Sequence, residues 1–185
     1  MTLTNTGAAV ELIDSFAVGH DKLWQGLGEC GTWWSGPDRV AAIAEGRQAL
    51  CCELCRTRSE VLSPMMVPGE HDSISQLSAP AIDLIHRLGT DPGRLSKSWA
   101  SQIIDAMTEE AYVELVTVNC IQYVIDSFSR CLGLPLRELP QAGEGIPTRI
   151  RPDGVGDVGA WVSQSLDKSL ANVSRAASLV PDTES

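Results

Sequence analysis

Apolar side chains recur every three to four positions along most of this chain, which is the spacing of an amphipathic helix. The pattern predicts helices over about 8–26, 37–59, 78–89, 91–107 and 108–132. Runs that alternate strictly between apolar and polar residues are rare. The sequence therefore predicts an all-α fold in which the helices bury one face each.

The pattern changes after the last long helix. Prolines stand at positions 135, 140, 147 and 152, among several glycines, so residues 134–160 are predicted to form an extended arm. A weak helix is predicted over about 160–179. We expect a helical domain over 1–135, and a C-terminal arm with a short helix over 136–185 that packs on the same domain or on a neighbouring subunit.

Composition limits the possible partners. The chain has 185 residues, of which 43% are hydrophobic, and a formal net charge of −10. That length is enough for one compact core. An acidic chain repels phosphate backbones and anionic lipid, so we expect no nucleic-acid or membrane partner. The N-terminus lacks the basic start and apolar core of a signal peptide, which favours a cytoplasmic protein.

Cysteines carry the most specific chemistry in the sequence. Three of the six cysteines, Cys51, Cys52 and Cys55, cluster inside the second predicted helix. Two thiols three residues apart in a helix are close enough to form a disulfide. Arg56 and Arg58 follow them, and cationic neighbours favour the reactive thiolate. The pattern favours redox chemistry, with small buried residues as an open alternative.

A metal site is the third interpretation of the same pair. A structural zinc site needs four ligands, and Cys52 and Cys55 supply two. His71 and His86 could complete the set only if the fold brought them together, and no further Cys-x-x-Cys or His-x-x-x-His follows. On this basis we expect no metal and no cofactor.

Several ionisable residues are candidates for proton transfer. Glu45 lies two turns before Cys52 on the same predicted helix face, although a solvated surface carboxylate is an equal alternative. His86 adjoins an apolar face and is also compatible with a hydrogen-bonded core histidine. His71 lies in a predicted loop, where we expect a structural role, with a role in lining the site as the less favoured alternative. Glu114, inside an apolar stretch, is predicted to pair with an arginine such as Arg130 or Arg94.

Two segments resemble the alkylhydroperoxidase D/carboxymuconolactone decarboxylase family, in its longer peroxidase-related branch. The first is Trp-Ser-Gly-Pro-Asp-Arg at 34–39, followed by Ala44-Glu45 and Cys52-x-x-Cys55. The second is Thr-Glu-Glu-Ala-Tyr-Val-Glu-Leu-Val at 108–116, continuing into Phe-x-x-Cys-Leu-Gly-Leu-Pro at 128–135. The likeness covers roughly residues 30–135.

The resemblance implies an all-α fold that assembles into homo-oligomers. It also implies a hydroperoxide substrate, a dithiol reductant protein, attack at Cys55 and resolution by Cys52. The histidine that relays protons in the family falls on Ser59 in this chain, so His86 is the replacement we consider first. The family glutamate lies further upstream than Glu45, which matches it loosely.

The sequence therefore predicts a thiol-dependent peroxidase or oxidoreductase of antioxidant defence, with Cys55, Cys52, Glu45 and His86 as its catalytic residues. One alternative is a non-redox member of the same fold, such as a small-acid decarboxylase-like enzyme or a binding and assembly protein. A zinc-binding protein is the less favoured alternative.

Overall fold

Helices form most of the part of the chain that the structure describes. The computed structural model describes residues 14–166. The helices are α1 (Asp14–Gly26), α2 (Gly36–Gln48), α3 (Glu53–Ser59), α4 (Ala79–Thr90), α5 (Lys97–Met107) and α6 (Glu109–Cys131). One two-residue antiparallel ladder joins β1 (Val155–Gly156) to β2 (Gln164–Ser165). The mostly helical fold agrees with the hydrophobic pattern. Within residues 14–166, no helix has both the length and the apolar character needed to cross a bilayer.

The longest helix, α6, lies at the centre of the fold. It begins as the sequence predicts, because the Thr108 side chain accepts the N–H of Ala111 and two glutamates occupy the first turn. It packs against α1, α2, α4 and α5. Leu115, Val118 and Ile125 on α6 are almost fully buried among apolar side chains of those helices. This packing fixes the positions of α2 and α4, which carry much of the candidate site.

A buried ion pair locks α2 to α6. Arg47 donates two hydrogen bonds of 2.8 Å to the carboxylate of Asp126, which is fully buried. Gln122 donates a third, at 2.7 Å, to the same carboxylate. The guanidinium also lies 5.2 Å from the ring centroid of Trp24, within the range of a cation–π contact.

The first part of the C-terminal arm packs on the helices of its own chain. Trp24 donates its indole N–H to the carbonyl of Glu138 at 2.9 Å, and the N–H of Gly143 donates to the carbonyl of Gly28 at 2.8 Å. A Cβ at Gly28 would lie 2.3 Å from the carbonyl oxygen of Gln141, so this close approach requires glycine.

The structure corrects three predicted helices. The one predicted over 91–107 starts as a separate 3-10 turn over Pro92–Arg94, and α5 begins only at Lys97. The helix predicted over 37–59 is divided, since α2 ends at Gln48, a 3-10 turn spans Ala49–Cys51 and α3 begins at Glu53. Of the helix predicted over 160–179, residues 160–166 form bends and β2 instead, and the remainder lies outside the described residues. Residues 8–13 of the first predicted helix also lie outside them.

The structure corrects the predicted partner of Glu114 and shows where two further cysteines lie. Cys120 and Cys131 are both exposed. Glu114 is buried as expected, but its partners are the N–H of Trp33 at 2.7 Å and the guanidinium of Arg39 at 3.7 Å. Trp33 precedes α2 and Arg39 lies within it. The arginines predicted from the sequence, Arg130 and Arg94, are therefore not the partners of Glu114.

The Arg47–Asp126 pair predicts a large stability effect. Replacing Arg47 with alanine leaves the buried Asp126 carboxylate without its cation, so we expect the free energy of unfolding to fall by about 3–5 kcal/mol. Urea denaturation followed by circular dichroism measures this.

Arg56→Ala is the matched control. Arg56 forms exposed ion pairs with Glu53 and Glu60 on α3, so its loss should cost less than about 1 kcal/mol. Equal losses in the two variants would show that Asp126 does not depend on Arg47.

Candidate functional site

The break between α2 and α3 places the two thiols of the Cys-x-x-Cys segment. Cys52 has extended backbone angles (φ −70°, ψ 125°) and stands at the N-cap of α3. Asp72, from the loop before α4, accepts the N–H of Glu53 at 2.7 Å and thereby caps the helix. The N–H of Asp72 donates in turn to the Cys52 sulfur at 3.4 Å. Cys52 and Cys55 are 2% and 4% exposed.

A hydrogen-bonded chain connects Cys55 to a buried carboxylate. The Cys55 Sγ lies 3.3 Å from His86 Nδ1 on α4, and His86 Nε2 lies 3.0 Å from Glu45 Oε1 on α2. Glu45 and His86 are both fully buried. The backbone N–H of Ile74 donates to the second Glu45 oxygen at 3.2 Å. Three separate segments therefore fix the carboxylate and the imidazole behind one sulfur.

A second histidine reaches both thiols from the loop. His71 Nδ1 lies 3.4 Å from the Cys55 sulfur and 3.6 Å from the Cys52 sulfur. Its Nε2 lies 2.9 Å from Oδ1 of Asp83 on α4. The rings of His71 and His86 are 4.3 Å apart between centroids. The site thus contains two imidazoles, each with a carboxylate on its far side.

Asp83 is held by three donors. Besides His71, Trp99 donates its indole N–H at 2.7 Å and Arg58 donates at 3.2 Å. Burial alone would raise the pKa of Asp83, but the hydrogen bonds from His71 and Trp99 and the charge of Arg58 lower it to about 2. Asp83 is therefore an anion that orients His71.

The electrostatics of His71 follow from the same contacts. Burial lowers the pKa of His71, but hydrogen bonds to Asp83, Cys55 and Cys52 outweigh this and raise the pKa to about 10. Burial also raises the pKa of Cys52, while the N–H groups of Cys55 and Asp72, followed by His71, lower it further than burial raises it. Without a bound cation, a Cys52 thiolate is stabilised beside a protonated His71.

His86 is in the opposite protonation state. Burial lowers its pKa, and the charge of His71 adds to this against the raising effect of Glu45. Burial raises the pKa of Glu45, but the hydrogen bond from His86 and other donors give a net lowering. An ionised carboxylate can only accept, so the proton of the neutral His86 resides on Nε2. The Nδ1 lone pair then points at the Cys55 sulfur.

The structure brings together all four residues that the sequence nominated: Cys52, Cys55, Glu45 and His86. Ser59, at the family histidine position, is exposed and donates its hydroxyl proton to the carbonyl of Arg56 at 2.7 Å.

His71 was not nominated as a site residue. The sequence offered two signals for His71. It lies between two acidic residues in a Pro/Gly-rich loop, and it precedes His86 by 15 positions. Asp83, three residues before His86 on α4, was also missed. Neither residue could be selected as a site residue from the sequence, because the contact between them depends on the path of the loop before α4.

Comparison with known protein families, with curated proteins and with solved structures gives no match for this chain. The resemblance to the alkylhydroperoxidase D family therefore stays a prediction, and the chemistry of the site has to be argued from its own geometry.

A cavity of about 230 Å³ lies between α2, α4 and α6, and its lining does not include Cys52 or Cys55. Its lining includes Ile85, Leu88, Cys120 and Tyr123 and contains no charged side chain. Decarboxylation of a small acid would be supported by acidic or basic groups around the substrate, and this cavity does not provide them.

The burial of the two thiols predicts selective labelling. With a short exposure to N-ethylmaleimide under native conditions, Cys51 should react while its neighbour Cys52 is protected, because Cys51 is exposed and Cys52 is not. We expect the rates to differ by about 100-fold, the factor for a local opening that costs about 3 kcal/mol. Peptide mass spectrometry measures both, and unfolding in guanidinium should abolish the difference. Equal native rates would contradict the buried placement of Cys52.

Proposed function

We propose that the protein is a thiol-dependent oxidoreductase that reduces small hydroperoxides on an alkylhydroperoxidase D-like helical scaffold. The observation that carries this proposal is the buried chain from Cys55 through His86 to Glu45, with Cys52 beside it. Such a chain supplies a nucleophile, its base and the group that orients the base. Since both sulfurs are buried, hydrogen peroxide suits the site better than a bulky hydroperoxide.

The first step is attack on the peroxide. His86 Nδ1 takes the proton of Cys55, and the resulting thiolate attacks the outer oxygen of the hydroperoxide. A sulfur–oxygen bond forms while the oxygen–oxygen bond breaks. The leaving alkoxide, or hydroxide from hydrogen peroxide, takes the proton back from His86. Glu45 stabilises the imidazolium during this exchange without itself losing or gaining a proton.

The second step closes the disulfide. The Cys52 thiolate attacks the sulfenic sulfur of Cys55, a sulfur–sulfur bond forms as the sulfur–oxygen bond breaks, and the departing hydroxide takes a proton from His71 to become water. In sum, two thiols and one hydroperoxide give one disulfide, one alcohol and one water. The electrons must be restored from outside, so the proposal includes a dithiol reductant, with the cytoplasm as the compartment that supplies it.

Thiol mapping tests the reaction. With a slight excess of hydrogen peroxide, we expect a Cys52–Cys55 disulfide before any oxidation of Cys120 or Cys131. In Cys52→Ser, dimedone should trap a sulfenic acid on Cys55. Cys51→Ser is the control and should still form the disulfide, which would exclude Cys51 as the resolving thiol. If Cys52 and Cys55 stay reduced while the exposed thiols oxidise, the proposed function is wrong.

The role of His86 gives a separate prediction. His86→Asn removes the base beside Cys55, so the rate of disulfide formation should fall by at least about 100-fold, the lower range for acid–base catalysis. His20→Asn is the matched control, because His20 lies on α1 against Phe16 and Phe128 and away from the thiols. Stopped-flow tryptophan fluorescence of metal-free protein measures the rate. Unchanged kinetics in folded His86→Asn would remove His86 from the mechanism.

A further inference from the structure

We propose that Cys52, Cys55, His71 and His86 together bind one zinc ion. Their sulfur and Nδ1 atoms all lie within 4.8 Å of one another. Sequence reasoning disfavoured a metal because only two ligands were visible, and the fold supplies the other two. The observations behind this site do not depend on the proposed redox function, although the site uses the same thiols in a different chemical role.

The distances between the four atoms fit a single tetrahedral ion. Zinc bonds of about 2.3 Å to sulfur and about 2.0 Å to nitrogen, at tetrahedral angles, place a sulfur and a nitrogen about 3.5 Å apart. The three sulfur–nitrogen distances from Cys55 to His86, from Cys55 to His71 and from Cys52 to His71 are 3.3, 3.4 and 3.6 Å. The side chains thus have the spacing of a zinc coordination sphere.

The groups behind the ligands support the same conclusion. Histidines that bind metals almost always donate their other ring N–H to a carboxylate, a carbonyl or water. His86 has Glu45 on its Nε2 side at 3.0 Å and His71 has Asp83 on its Nε2 side at 2.9 Å. In the zinc-bound state each carboxylate would accept the Nε2 N–H of its histidine and leave Nδ1 as the ligand atom, and His71 would release its Nδ1 proton when the ion binds.

Charge and softness select the ion. Two thiolates neutralise a divalent cation, and two thiolates with two imidazoles form a set that suits zinc. The four ligands are all protein side chains and three of them are almost fully buried, which describes a closed site without a water position.

Zinc would regulate the thiols, and this consequence rests on the proposed function. Zinc occupies the lone pairs that attack peroxide and resolve the sulfenic acid, so the loaded site is protected from oxidation. When hydroperoxide does react, two zinc-bound thiolates, one hydroperoxide and two protons give one disulfide, one alcohol, one water and free Zn²⁺. A disulfide no longer offers thiolate ligands, so oxidation and zinc binding exclude each other.

Metal analysis of the full-length protein tests the site directly. Protein is purified with reductant and without chelator, and zinc is measured by inductively coupled plasma mass spectrometry. We expect one zinc per chain. Metal-free protein titrated with Co²⁺ should develop the visible bands of a tetrahedral ion and the charge-transfer absorption of thiolate ligands. Trace zinc together with no such spectrum, or iron in place of zinc, would overturn the proposal.

Variants locate the ligands and their support. His71→Asn should lower the affinity for zinc, measured by competition with a chromophoric chelator, and His20→Asn is its control on the third histidine of the chain. Asp83→Asn should weaken binding by about 10–100-fold through the orientation of His71. Full affinity in folded His71→Asn would overturn the four-ligand site.

The two proposals fail separately. Peroxide reactivity is measured on metal-free protein and zinc affinity on reduced protein. Zinc binding without a Cys52–Cys55 disulfide would refute the oxidoreductase and keep the metal site. For the regulatory consequence, we expect peroxide to release one zinc per disulfide formed, at least tenfold more slowly than metal-free protein is oxidised. Equal rates would refute protection by zinc.

Discussion

The hydrogen bond between Glu45 and His86 is the constraint on which the site depends. Both side chains are fully buried, so neither could remain unpaired without a large desolvation cost. The bond joins α2 to α4 and fixes which nitrogen of His86 carries the proton. Cys55 then contacts an unprotonated Nδ1. The protonation of the nitrogen that contacts the sulfur is therefore set by a carboxylate that does not touch the sulfur.

The same physical rule governs polar groups elsewhere in the core. Asp126 on α6 is paired with Arg47, and Asp83 on α4 is paired with His71, Trp99 and Arg58. Asp126 is fully buried and Asp83 is partly buried, and each carboxylate joins segments that are distant in sequence. Apolar packing alone lets helices slide or rotate against one another at a small cost in free energy. A buried carboxylate needs its hydrogen-bond donor at one position. These pairs therefore specify the register of α2, α4 and α6 around the thiols.

The sequence predicts the helices well where local signals are strong. Thr108, Glu109 and Glu110 define the start of α6, and the structure agrees. The break at Cys52 could not be predicted, because the residues from 37 to 59 carry a continuous helical pattern and the cause is a distant group. Asp72 caps α3 from a loop whose path the sequence does not reveal.

The residues of the candidate site were likewise predictable only where a local sequence pattern marked them. Glu45, Cys52 and Cys55 were selected because they lie on one predicted helix face, but the helix is divided and Glu45 reaches Cys55 only through His86 on α4. His86 was selected as a candidate because it adjoins a predicted apolar helix face. His71 was missed because its position depends on a loop that is held by Asp83, and long-range contacts of that kind leave no local pattern.

The serine at position 59 no longer argues against thiol chemistry in this chain. A histidine four residues after Cys55 would approach the sulfur from its own helix. Here α3 ends at Ser59, which faces solvent, and His86 approaches the same sulfur from α4. An imidazole supplied from α4 leaves space on the other side of the thiols for His71. Two imidazoles around two sulfurs complete a metal-binding set, which a single histidine on α3 could not do. The approach of His86 from α4 and of His71 from the loop therefore places four candidate ligand side chains together, and both proposals for this site rest on that arrangement.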